Sequence, residues 1–294
     1  IGRRYLKDNI LNPIVDSDKL NERYDCVDIF LKHSNDTIVS NDPTGSTSYI
    51  YKIIEKNLNK IIDLERAHRK MSLDMLQPTD LSGLVFSYEA VISIIELLNS
   101  LVADKNYDTS SLEEMIPTNS TIHTFKQLIN DIYTDFNLDE CVKYHADKIT
   151  GNIFNSGIYE EIDNVCNVIE GCKLKFSKIN KIFSNFIEKK NNSVLKFENN
   201  ERDGYYLTST SKRVDVIKKA IKNIETFTIG DENCPNQFEF KIQNKSLVKI
   251  SSPYTKQISN CLIASIEKLK HLSRARFLAT IAKYYTNYYE ILGI

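Results

Sequence analysis

The chain has 294 residues, 41% of them hydrophobic and 26% charged, with a formal net charge of −1. That balance is enough for a sizeable buried core, and it excludes a wholly basic nucleic-acid coat. No run of about 18 apolar residues marks a membrane span, and Ile1-Gly2-Arg3-Arg4-Tyr5 leads into a charged amphipathic stretch rather than a signal peptide.

Residues 3–32 read as helix, turn, helix. Leu6, Ile10 and Leu11 form a stripe, Asn12-Pro13 breaks it, and Asp16 or Ser17 can cap a second helix carrying Leu20, Tyr24, Val27 and Phe30-Leu31. A polar loop is expected over 34–48. Helical spacing resumes with Ile50, Ile53-Ile54, Leu58, Ile61-Ile62 and Leu64, and Gln77-Pro78-Thr79-Asp80 ends that helix. Thr79 or Asp80 caps the next, which runs to about Val102. A second polar stretch, 103–119, reads as a surface insertion, and residues 122–132 form another helix.

From Ile162 the apolar positions Val165, Ile169, Cys172, Phe176, Ile179, Phe183 and Phe186 alternate three and four apart, a narrow packing seam. Gly171 costs that helix about 1 kcal/mol without ending it. A second long helix, about 255–292, repeats the alternation through Ile258, Leu262, Ser265, Leu269 and Leu272, so the two should pack antiparallel. Between them lie short β-prone runs, 194–197, 205–210, 226–229, 238–242 and 247–250, with a helical period over 212–224. The fold class expected is mainly α: a multi-helix core, a long antiparallel helix pair, and a small inserted α+β region at its tip.

The six cysteines are scattered with no C-x-x-C pair, as for free, mostly buried thiols in a reducing intracellular compartment. Asp42-Pro43-Thr44-Gly45-Ser46-Thr47-Ser48 lacks the second Gly and the Lys of a phosphate loop. Cys141 and His145 stand at helical i, i+4 spacing but have no second ligand pair, so a structural role is expected and no metal. No catalytic constellation stands out. Charge is uneven: residues 189–256 hold 13 Lys and Arg against 8 Asp and Glu, a local balance of +5 inside an acidic frame. Ser211, Lys212, Arg213, Lys245, Ser246 and Lys249 are the candidate binding residues there, of the types that contact phosphate oxygens without reading base sequence. The other reading is an ordinary solvated face, or a helical scaffold whose tip docks a protein partner.

Several stretches together resemble the core, lever and clamp region of MutS-type DNA mismatch-repair proteins. They are Gly2-Arg3-Arg4-Tyr5-Leu6-Lys7 with Leu11-Asn12-Pro13-Ile14-Val15-Asp16; Ile62-Asp63-Leu64-Glu65-Arg66 with Arg69; Pro78-Thr79-Asp80-Leu81; Gly157-Ile158-Tyr159-Glu160-Glu161-Ile162-Asp163; and Gly204-Tyr205-Tyr206. The family's usual Trp near the start is replaced by Asn9 or Ile10. The resemblance implies a helical core and lever over 1–192 and 255–294 and an inserted clamp over 193–254. It also implies backbone contacts to double-stranded DNA from a loop holding Ser211-Lys212-Arg213 and from the strand 245–249. It places the mismatch-sensing and ATPase domains outside this chain, so that ATP and Mg, and a second MutS-like subunit, belong to a longer protein that is an ATPase, while this stretch itself is no enzyme. The missing initiator Met fits a piece of a longer protein. The Asn-, Ile- and Lys-rich composition fits an AT-rich genome, and with the polar insertions tilts the reading toward a divergent eukaryotic or large-virus member.

Overall fold

A computed structural model describes residues 2–32, 36–39, 47–103, 116–187, 195–229, 232–244 and 246–292. Asp42 to Ser46 of the polar loop, Asp231 and Lys245 lie outside the described residues. The chain divides into two compact units: residues 1–146 with 275–294, and residues 147–274. It is mainly α, with small antiparallel sheets, as expected.

In the first unit, α1 (Gly2–Leu11) and α2 (Ser17–Lys32) flank Pro13. Asp16 is the cap, its carboxylate accepting from Asp18 N at 3.0 Å. The expected polar loop is partly a hairpin, because β1 (Thr37–Val39) pairs antiparallel with β2 (Thr47–Tyr49). The single helix expected from Ile50 is two helices, α3 (Ile50–Leu58) and α4 (Leu64–Ser72). Asn59 closes the first and Asp63 caps the second by accepting from Arg66 N, so a local cap overrides continuous apolar spacing.

Helix α5 (Pro78–Ala103) is the centre of this unit. Pro78 opens it, where a missing N–H is harmless, and Asp80 reaches back to accept from Gln77 N at 3.2 Å. Asp80 therefore caps from inside the first turn rather than from the position before it. By length and composition α5 is the one described helix that could cross a membrane. Ser82, Ser87, Glu89, Ser93 and Glu96 interrupt its apolar run, and Leu81, Leu84, Val85, Tyr88 and Ala90 are buried in the fold. Around it pack α3, α4, α6 (Asn119–Asp135) and the short α7 (Leu138–Cys141). The Tyr88 hydroxyl lies 2.6 Å from His68 Nε2, and its ring meets Phe125 edge-on. Cys141 ends α7 and His145 lies beyond the following turn, so the pair does not share a helix as its spacing suggests.

The second unit holds α8 (Glu160–Asn185), the sheet strands, and most of α10 (Pro253–Asn287). Seven of the expected α8 seam positions are buried: Ile162, Val165, Ile169, Cys172, Phe176, Ile179 and Phe183. Each is worth about 1.5–3 kcal/mol on burial for the larger side chains, far above the cost of Gly171, so the helix runs through. Asp163 accepts from Gly157 N at 2.7 Å and from Asn152 at 2.9 Å. Gly157 has φ +89°, a conformation that admits glycine readily, and this accounts for its place before the helix.

Strands β3 (Lys196–Asn200), β4 (Gly204–Thr210), β7 (Glu239–Ile242) and β8 (Leu247–Ser251) form one antiparallel sheet ordered β3-β4-β8-β7. Strands β5 (Thr226–Ile229) and β6 (Glu232–Pro235) form a separate hairpin. The sequence gives no sign of β6, whose four residues lack β-branched side chains and end in Pro. The expected run 194–197 is shifted onward, to Lys196–Asn200, by its register with β4.

Candidate nucleic-acid interface

Strand β4 passes straight into helix α9 (Ser211–Ile221), with Thr210 as an extended N-cap that makes no side-chain cap bond. Ser211, Lys212 and Arg213 therefore form the first helical turn, not a loop. Val214, Ile217 and Ile221 are buried on one face, and that apolar spacing starts immediately after the strand. Lys212, Lys219 and Lys222 are exposed on the opposite face with Asp215 among them, and Arg213 is half-buried at its edge. Among the described residues no carboxylate pairs with Lys212, Arg213, Lys219 or Lys222. Thr210 gives the first turn no side-chain cap, and the helix start adds positive potential beside Lys212 and Arg213.

Ser211 and Ser246 come together: Ser211 N donates to Ser246 O at 3.1 Å. Asn244 organises that β7–β8 turn, its Oδ1 accepting from Ser246 N at 3.0 Å and Leu247 N at 2.9 Å. Lys245 belongs to the same turn in sequence but lies outside the described residues.

Lys249 is arranged differently. It stands opposite Thr208 in β4 and Lys241 in β7. Its ammonium is 2.9 Å from the Asp203 carboxylate and 4.4 Å from the Tyr206 ring centroid, with only 15% of the side chain exposed. The ammonium and Asn200, both hydrogen-bonded to Asp203, hold that carboxyl below its usual pKa. Neither Asp203 nor Tyr206 as a partner for Lys249 was visible in the spacing, because a β-turn brings Asp203 back over the sheet.

Tyr205 and Tyr206 face opposite sides of β4, as alternation requires. Tyr206 is buried under Lys249, with its hydroxyl accepting from Asn200 at 3.0 Å and Gln243 at 3.2 Å. Tyr205 stacks on Phe197, which in turn meets Phe176 of α8. Gly204 has φ +65°, and a Cβ there would stand 2.6 Å from Ser259 Oγ and 2.8 Å from Ile263 Cδ1. Ser259 uses the gap to accept from Tyr205 N at 2.8 Å, tying β4 to α10.

The β5–β6 hairpin is attached through Glu232. It accepts from Lys175 of α8 and from the Tyr254 hydroxyl of α10, both at 2.7 Å. These donors hold its carboxyl below the ordinary value, and burial first, then Glu232, pushes Tyr254 up. Phe183 closes the apolar side by meeting Phe227 and Phe238 edge-on.

The family model for MutS domain III matches residues 1–291. A mutS homologue of Acanthamoeba polyphaga mimivirus is 25% identical across 99% of this chain and 25% of its own length. The DNA mismatch repair protein MutS of Caldicellulosiruptor bescii is 24% identical over 92% of the chain and 28% of its own. That of Streptococcus mutans is 25% identical over 96% and 30%. The chain thus spans between a quarter and a third of the length of these relatives. A match over nearly every residue, in an order that keeps Gly157 at the start of a long buried-seam helix and Gly204 at the strand tied to its partner helix, makes this chain a member of the MutS domain III family.

Proposed function

We propose that this chain is the lever and clamp portion of a MutS-like mismatch-repair protein, with residues 193–254 as an inserted clamp that holds duplex DNA by its phosphates. The observation that carries the reading is the exposed face of α9, where Lys212, Lys219 and Lys222, with Arg213 at its edge, stand without carboxylate partners beside an uncapped helix start. Cations free of internal partners release counterions when they meet phosphate, and they read no base edge. Ser211 adds a hydroxyl at the same place, whereas the Ser246 hydroxyl donates to Asn244 Oδ1 at 3.2 Å within its own turn. In a longer protein α8 and α10 transmit movement from an ATPase domain using ATP and Mg, and a second MutS-like subunit closes around the DNA. Asp42–Ser48 lacks the second Gly and the Lys of a phosphate loop.

The test is duplex affinity across a salt series for the chain and for Lys212→Ala/Arg213→Ala. The variant should bind more weakly, with the log–log salt slope shallower by about 2, since each phosphate contact contributes about 0.9. Unchanged affinity and slope would remove these residues from the interface. A protein-docking tip is the second reading, favoured by Ile242 at 81% exposure and Val216 at 45%. A flat slope for the unaltered chain would favour it.

A further inference from the structure

We propose that the open edge of β7 pairs with the same edge of a second copy of this chain, in an antiparallel two-fold joint centred on Phe240. Strand β7 ends the sheet order β3-β4-β8-β7, and among the described residues β8 is the strand that bonds to it. The hydrogen bonds show which of its backbone groups face outward. Gln243 N donates to Leu247 O at 3.0 Å, so residues 243 and 247 form a bonded pair. Bonded and non-bonded pairs alternate along an antiparallel ladder, which makes Lys241 with Lys249 and Glu239 with Ser251 bonded pairs too. Phe240 and Ile242 stand opposite Ile250 and Val248 at the positions between, so their N–H and C=O groups point away from β8 to the open side.

Charge then selects the register. A joint between two such edges sets outward residues against outward residues. With Phe240 opposite Phe240 of the second copy, Glu239 of each chain faces Lys241 of the other. Centring the joint on residue 239 or 241 instead would set Glu239 against Glu239 or Lys241 against Lys241, and like charges directly opposite destabilise a strand pair. The strand is thus self-complementary in one register, as a two-fold contact requires.

The side chains are free to make this exchange. Glu239 is 50% and Lys241 68% exposed, and they meet within the chain at 3.5 Å, with Lys256 at 3.7 Å from Glu239. Such long, exposed ion pairs cost little to replace with a partner's. On the opposite side of the strand, the Lys218 ammonium lies 5.2 Å from the Phe240 ring centroid, while Ile242 is 81% exposed and extends the apolar row. An edge strand left bare in this way is a template for a further strand. The joint is small against the roughly 800 Å² per partner of a stable interface, so it belongs to the weak class. It strengthens where, on the reading above, one duplex holds two copies together. No residue of this edge belongs to the cationic face of α9, so loss of pairing and loss of DNA binding are separate outcomes.

Sedimentation equilibrium of the 294-residue chain without DNA, up to its solubility limit, tests the pairing. The expected result is a reversible monomer–dimer equilibrium. Glu239→Lys and Lys241→Glu, each alone, should weaken it about tenfold, because each sets two like-charge pairs at the joint. Both substitutions in one chain restore opposite charges across the joint and should recover the affinity of the unaltered chain. Both positions are exposed, so the variants keep the fold. In parallel, the Phe240 amide should exchange with solvent more slowly as chain concentration rises. A monomer at every concentration, single substitutions without effect, a double variant no better than the singles, or a Phe240 amide indifferent to concentration would each overturn the proposal.

Discussion

Lys249 shows how much a single side chain's neighbours change its meaning. As a lysine on a basic strand it is a candidate for phosphate, yet its charge lies between Asp203 and the face of Tyr206. Lys249→Ala should consequently alter the salt slope of duplex binding far less than Lys212→Ala/Arg213→Ala, in the same titration. Equal losses would show that DNA displaces Asp203. Asp215 is the converse case, a carboxylate on the face that carries the unpaired lysines. Asp215→Asn should tighten duplex binding at low salt, with the gain fading as salt rises. At Gly204 both the backbone angle and the 2.6 Å approach to Ser259 exclude a side chain. Gly204→Ala should cost about 1–3 kcal/mol, read from the denaturant midpoint, and an unchanged midpoint would contradict the close approach.

Between elements, the decisive contacts attach the strands to the two long helices. Phe183 is 1% exposed and touches the rings of Phe227 and Phe238. Phe183→Ala should cost about 3–5 kcal/mol and speed amide exchange in β5 and β6 before it does so in α5. Glu232 supplies the polar half of the same attachment. Its folded pKa lies below the ordinary 4.5, so its stabilising effect is complete above 4.5 and is lost as pH falls through the folded value. The stability difference between the unaltered chain and Glu232→Gln should therefore shrink on acidification below 4.5, and a constant difference in pH-dependent melts would argue against the ion pair. In the other unit, Tyr288 donates to Asp131 and is pushed up to about 12 by burial first and then by that carboxylate. Tyr284 donates to Asp135, and Phe277 meets Phe136, so the end of α10 is fixed to α6 by both apolar and polar contacts.

For the whole molecule, spacing and composition carried much of the architecture. The three-four alternation from Ile162 to Phe183 specified a long helix with a buried seam, because a 3.6-residue period leaves one stripe to bury whatever the rest of the fold does. The +5 balance of residues 189–256 located the cationic segment, since charge is a property of the chain before it folds. The break between α3 and α4 was less legible, because a cap at Asp63 depends on one hydrogen bond that apolar spacing does not register. Strand β6 escaped for a related reason: it exists through its pairing with β5 and its anchoring at Glu232, not through its own propensity. Residue types alone placed Ser211, Lys212, Arg213, Ser246 and Lys249 in one group. Only the tertiary structure separated them, setting Lys212 and Arg213 on an uncapped helix turn, joining Ser211 to Ser246, and enclosing Lys249. Local periodicity and charge are written along the sequence, whereas the partner of a charge is fixed by long-range packing, which no short window of residues contains.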